Sequence, residues 1–186
     1  MKKILALVLA FAFMFTVCFT ATADTLTDGF DTDTVTDTVL RNANVVLNDT
    51  VTLTPGSAAG KYNVLYKGQD MGTQLYICHQ TAEGKSSEEG PKNHIAVSLT
   101  YPANTTTTDA FLYFWAAIGG AALQYISGAE EMGTYPNELY SNTIAAAQRP
   151  DHTLVFSLNG YAVKVIAMAH NGTVVVGLVI DIPGLY

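Results

Sequence analysis

The chain has 186 residues, 49% of them apolar, with 16 Asp and Glu against nine Lys and Arg for a formal charge of −7. That length supports one domain with a real core, and basic residues this few and scattered exclude nucleic acid as a partner. Two cysteines exclude a disulfide-dense scaffold.

The positive start Met1-Lys2-Lys3 precedes an uncharged apolar run, 4–17, and then Thr20-Ala21-Thr22-Ala23 sets alanines at the small-residue positions before a cleavage point. This pattern predicts a secretory signal peptide over 1–23, cut after Ala23, and places the mature chain outside the cytoplasm, secreted or in the cell envelope. Removing 23 residues from 186 leaves 163, and loss of Lys2 and Lys3 takes the formal charge from −7 to −9. Lipidation at Cys18 is disfavoured, because Phe15-Thr16-Val17 stands where small residues are needed. With Cys18 removed Cys78 has no intrachain cysteine to pair with, so no disulfide is expected and Cys78 reads as a small buried apolar group.

Residues 24–40 carry Asp24, Asp28, Asp31, Asp33 and Asp37 among threonines, which predicts a flexible, solvated acidic arm ahead of a single domain at 41–186. The carboxylate spacing lacks the glycine and distal glutamate of an EF-hand, so calcium binding is not expected. Residues 44–54 are rich in β-branched side chains and end at Pro55-Gly56, a strand and a turn. A hairpin follows: 61–67 with Tyr62, Val64 and Tyr66 on one face, a tight connection at Gly68-Gln69-Asp70, then 71–80. A polar loop occupies 82–93. Over 94–101 the chain alternates, with Ile95, Val97, Leu99 and Tyr101 facing a core and His94, Ala96, Ser98 and Thr100 facing solvent.

The segment 110–126 organises the rest. On a helix, Phe111, Trp115, Ile118, Ala122 and Tyr125 form one stripe and Leu112, Ala116, Gly119, Leu123 and Ile126 a second beside it. A helix apolar on two of three faces needs cover from more than one side. Its 17 residues span about 25 Å, short of the roughly 30 Å of a bilayer core, so it is a buried helix and not a stable membrane span. Gly119-Gly120 in mid-helix predicts close approach of a neighbour. Asp109 suits the first turn and Gly128 the stop. A second, amphipathic helix is expected over 136–148, started by Pro136 and bearing Leu139, Tyr140, Thr143, Ile144 and Ala147 on its inner face, its alanines meeting the glycine pair. Three strands close the chain, 153–158, 161–170 and 173–182, joined by Asn159-Gly160 and Asn171-Gly172. The stretch 174–180 is apolar on both faces and belongs mid-sheet. The expected class is α+β: a largely antiparallel sheet of about six to seven strands against a central apolar helix and a second amphipathic one.

Reactive side chains are few. His79 adjoins Cys78 on a strand and so points to the opposite face, whereas His94 can lie across a strand pair from Cys78, on the face of Ser98. The histidines His79, His94, His152 and His170 show no metal-ligand spacing, and no phosphate loop, dinucleotide fingerprint or nucleophile elbow occurs. Asn48, Asn104 and Asn171 head glycosylation triplets of a kind that arises by chance in so Thr- and Asn-rich a chain. The ten tyrosines suit strand faces and core edges as well as recognition surfaces. Accordingly no catalytic, cofactor-binding or metal residue is assigned. The expected function is that of an exported, non-enzymatic module binding a protein, glycan or envelope component through a sheet face or the 82–93 loop. The alternatives are an exported hydrolase assembled around Cys78 and His94, and a membrane-active or self-assembling protein using 110–126.

Overall fold

The computed structural model describes residues 32–78, 92–103, 108–127, 134–158 and 160–183. In chain order these form α1 (Thr32–Leu47), β1 (Val51–Pro55), β2 (Lys61–Tyr66), β3 (Gln69–Cys78), β4 (Lys92–Pro102), α2 (Thr108–Ser127), α3 (Thr134–Ala147), β5 (Thr153–Leu158), β6 (Tyr161–His170) and β7 (Thr173–Pro183). The seven strands make one antiparallel sheet in the order β1-β2-β3-β4-β7-β6-β5. Each meander therefore runs from an outer edge to the middle, where β4 and β7 pair over eleven residues, from Lys92 opposite Pro183 to Pro102 opposite Thr173. An α+β fold with a large antiparallel sheet follows, as the pattern of elements predicts.

Two-residue turns hold the meanders in register. Lys67 and Gly68 both have positive φ (52° and 77°), as do Asn171 and Gly172 (49° and 76°), the geometry whose twist matches that of the flanking strands. The first hairpin thus turns at Lys67-Gly68, and Gln69 and Asp70 already belong to β3.

One core fills the space between the sheet and the helices. Val64, Leu75, Ile95, Val97, Leu99, Val163, Val165, Val176, Leu178 and Ile180 form its floor, and the buried side chains of all three helices lie in the same cluster. Strand alternation then places all three described helices on one side of the sheet. α2 is the central helix. Every residue from Phe114 to Leu123 is buried, which requires cover around the whole circumference. The sheet supplies one side, where Trp115 Nε1 donates to Val97 O at 3.0 Å. α1 supplies a flank, where Asn42 Nδ2 donates to Ala121 O at 3.5 Å. α3 supplies the other flank. A Cβ added at Gly119 would stand 2.8 Å from Leu139 Cδ1 and 3.2 Å from Leu178 Cδ2, and one at Gly120 would stand 3.0 Å from Pro136 Cδ.

The glycine pair therefore does admit a neighbour, but Pro136 and Leu139 enter rather than the alanines of the second helix. The inner stripe of α3 is Pro136, Leu139, Thr143 and Ala146, while Ile144 and Ala147 are exposed. The helix is rotated from its expected setting because the small surface of α2 draws in the first turn of α3, proline included.

The largest correction lies at the N-terminus. Residues 32–40 are no solvated arm: they begin α1, whose Val35, Val39 and Ala43 are buried in the main core. Residues 44–47 complete that helix, so the first strand starts at Val51 and not at 44. Thr and Asp are weak helix formers, but valines four residues apart put one apolar stripe on a helix, and burial against α2 outweighs propensity differences of a few tenths of a kcal/mol per residue. Asp33 sits in the first turn, where a carboxylate favours the helix. Thr36 Oγ1 donates back to Thr32 O at 2.6 Å. The helix stops at Asn48, left-handed with φ 49°, and Asn44 Oδ1 accepts from Val51 N at 2.7 Å, tying the helix end to the first strand. Asp49 then receives Lys67 Nζ at 2.6 Å and Tyr66 OH at 3.0 Å. The Lys67 contact holds its carboxyl below the usual range, helped by the amide of Thr50. Residues 24–31 of the expected arm and the 1–23 leader lie outside the described residues.

A candidate interaction face opposite the helices

The second face of the sheet can be read from register. Side chains paired across antiparallel strands share a face, and four of the rows that cross it make up its middle and one margin. Cys78, His94, Asp181 and Ala162 make the first, Tyr76, Ala96, Val179 and Lys164 the second, Gln74, Ser98, Gly177 and Ile166 the third, and Thr100, Val175 and Met168 the fourth. Val155 of β5 extends the second row to the sheet edge and is 64% exposed.

This face has a polar margin and an apolar middle. Tyr76, Cys78 and Ala96 form a second buried cluster, against which Val179 packs, separate from the main core. Ile166 and Met168 are buried beside them, and Val175 and Val179 are half-buried. The clean solvent face expected of 94–101 is thus only partly present: Thr100 is exposed, His94 and Ser98 are half-buried, and Ala96 is buried. The physical reason is the sheet's centre, where β4 lies between β3 and β7 and its short Ala96 is flanked by Tyr76 and Val179.

At the polar margin the structure brings Cys78 and His94 directly opposite each other, with Ser98 on the same face. Asp181 follows on the far side of His94. Sequence reading missed this third member, because the pairing of β4 with β7 joins segments some 80 residues apart and no local pattern announces it. The His94 ring meets Tyr76 edge to face, centroids 5.9 Å apart. Burial pushes the His94 imidazole below its ordinary pKa, and the Asp181 carboxylate opposes that in part. Burial likewise raises the Tyr76 phenol. At neutral pH His94 is therefore a neutral imidazole, one donor and one acceptor.

The remaining candidates lie apart from this site. His152 is in a left-handed turn (φ 55°) with Nδ1 3.3 Å from Ala147 O, and His170 ends β6 at the Asn171-Gly172 turn. His79 and the 82–91 part of the polar loop lie outside the described residues, as does Cys18, on whose removal the no-disulfide expectation rests. Among the described residues no three His, Cys, Asp or Glu side chains converge as a metal site, and no helix is long and apolar enough to cross a membrane. Asp33 and Asp37 stand on α1, and the other three aspartates of the acidic stretch lie outside the described residues. No family model, no curated protein and no solved structure matches the chain.

Proposed function

We propose that the protein is an exported binding module whose helix-free sheet face docks a protein, glycan or envelope component. The observation that carries this reading is the apolar middle of that face: Tyr76, Ala96, Ile166, Met168, Val175 and Val179 lie on the side of the sheet where none of the described helices packs. The accessible part of this face is the half-buried Val175 and Val179 with Val155, 64% exposed, at the edge, and it is rimmed by His94, Asp181, Lys164 and Gln74 as an apolar patch with a polar rim.

The pairing of Cys78 with His94, and of His94 with Asp181, motivates the hydrolase alternative, but Cys78 is disulfide-bonded and offers no thiolate as it stands. Among the described residues no amide beside the sulfur is left for developing negative charge. Ile77 N already donates to Gly60 O at 2.8 Å, and Cys78 is paired in the β3–β4 ladder, so the strand amides beside the sulfur serve the sheet. Binding is the better-supported use of the face.

The test compares the mature chain with Val175→Glu/Val179→Glu, and with Ile144→Glu on the exposed side of α3 as control, on glycan arrays and on separated envelope proteins. Retention lost in the first variant and kept in the control supports the reading. Equal retention by all three, or turnover of an ester, peptide or glycoside by the wild type, overturns it.

A further inference from the structure

The sheet has two outer strands, β1 and β5, and its two edges are not equally closed. In an antiparallel ladder alternate residues bond the inner neighbour, and those between them aim N–H and C=O outward. Lys67 N donates to Thr50 O at 3.1 Å, and by that parity Val51, Leu53 and Pro55 of β1 face out. This edge is largely shut, because Val51 N donates to Asn44 Oδ1 at 2.7 Å and Pro55 has no N–H. Ala167 N donates to His152 O at 3.1 Å, and the same parity leaves Thr153, Val155 and Ser157 of β5 facing out. Thr153 N donates to Asp151 Oδ1 at 3.3 Å, so the outward amides of Val155 and Ser157 remain. The strand itself, TLVFSL, carries no charge, proline or bulge to blunt it.

We propose that β5 pairs antiparallel with β5 of a second copy, about a two-fold axis through Val155, to form a weak, closed dimer. The strand's own sequence selects both this occupant and this register. With Val155 opposite the partner's Val155, Leu154 falls opposite the partner's Phe156 and Thr153 opposite the partner's Ser157, so apolar meets apolar and hydroxyl meets hydroxyl. A shift that sets Val155 against the partner's Ser157 loses that match. In the matched register Val155 N donates to O of the partner's Val155 and Ser157 N to O of the partner's Thr153, symmetry repeats both bonds, and Asp151 keeps Thr153 N. Pairing also covers Val155, 64% exposed, together with the half-buried Leu154 and Phe156 on the core side. Charge does not oppose it. Lys164 stands opposite Val155 on β6, and its two copies lie three strand spacings apart, about 14 Å, beyond the roughly 8 Å screening length at physiological salt. With β1 shut the pair offers no second open edge, so assembly stops at two. Paired residues share a face, which sets the described helices of both copies on one side and joins the two helix-free faces. The dimer does not depend on what that face binds.

The experiment follows the full chain by sedimentation equilibrium over about 5–500 µM, beside Val155→Pro and, as control on the other edge, Thr54→Lys. Proline at an outward-facing edge position leaves the bonds of β5 to β6 in place. A mass that rises from one chain to two and levels there, with a Kd raised at least about tenfold by Val155→Pro and unmoved by Thr54→Lys, supports the proposal. A monomer throughout, growth beyond two, or a dimer indifferent to Val155→Pro overturns it. If Trp115 emission shows that Val155→Pro does not fold, Val155→Lys decides in its place, since it sets like charges directly opposite each other. Amide hydrogen exchange locates the seam: exchange at Val155 and Ser157 that slows as concentration rises supports it, and exchange independent of concentration overturns it.

Discussion

Gly119 sits where three elements meet, and the added Cβ that would collide with Leu139 and Leu178 makes it a sensitive probe of the helix layer. Glycine to alanine gains about 1 kcal/mol of helix propensity, whereas overpacking a dense core costs typically 1–3 kcal/mol. Packing wins here, because the two side chains met, Leu139 at 2.8 Å and Leu178 at 3.2 Å, are both fully buried and have little room to give. Gly119→Ala should lower the stability by up to about 2 kcal/mol in a urea melt, and Leu139→Ala in the same chain should restore part of that loss. Trp115 is bound differently, by both volume and its bond to Val97 O. Trp115→Phe leaves a buried carbonyl without its donor and a partly emptied site, for an expected loss of about 2–4 kcal/mol by the same measurement. His94 gives a pH signature. Its folded-state pKa lies below the ordinary value because burial disfavours the imidazolium. The unfolded chain therefore binds the proton first, and stability present above about pH 6.5 falls as pH drops toward the folded-state pKa. Melts at pH 7.5 and 5 should show this slope in the wild type and a shallower one in His94→Gln.

At the scale of elements, α1 is the clearest case of tertiary context overruling composition. The stretch TDTVTDTVLRNANVVL reads locally as acidic and threonine-rich, yet its 16 residues form a helix whose Val35, Val39 and Ala43 close one flank of α2. Val39→Asp should destabilise the whole domain by several kcal/mol, through an unpaired charge in the core. Asp37→Ala, on the same helix away from the buried stripe, should stay within about 0.5 kcal/mol. A solvated arm would leave both variants at wild-type stability, so thermal melts of the pair distinguish the two pictures. The edge strands show the opposite economy. β1 and β5 have five and six residues, short enough to keep edge-to-edge association weak, and β1 ends in Pro55.

For the whole molecule, the sheet has two unequal faces. One carries the three described helices and the main core, and the other an apolar centre with a polar margin. Charge placed on the second face should leave folding intact while changing association. The Val175→Glu/Val179→Glu variant is expected to keep the Trp115 emission and the cooperative melt of the wild type, and to lose binding of 8-anilinonaphthalene-1-sulfonate by the mature chain. Collapse of the melt would mean that the face belongs to the core of the domain rather than to its surface.

Local physics made much of this legible without coordinates. Asn171-Gly172 announced its hairpin because two adjacent positive-φ residues suit the strand twist, and the alternation of Ile95, Val97, Leu99 and Tyr101 named the core face of β4. The double stripe through Trp115 identified the central helix, and the two-sided apolar run 174–180 identified an inner strand, because hydrophobic periodicity records how many sides of an element are covered. What only the tertiary structure decided were the non-local facts: that β7 pairs with β4, which puts Asp181 beside His94; that α1 exists, since its stability comes from α2 rather than from its own residues; and that α3 presents Pro136 and Leu139 to the glycines. Each depends on contacts between segments far apart in the chain, and no window of neighbouring residues carries that information.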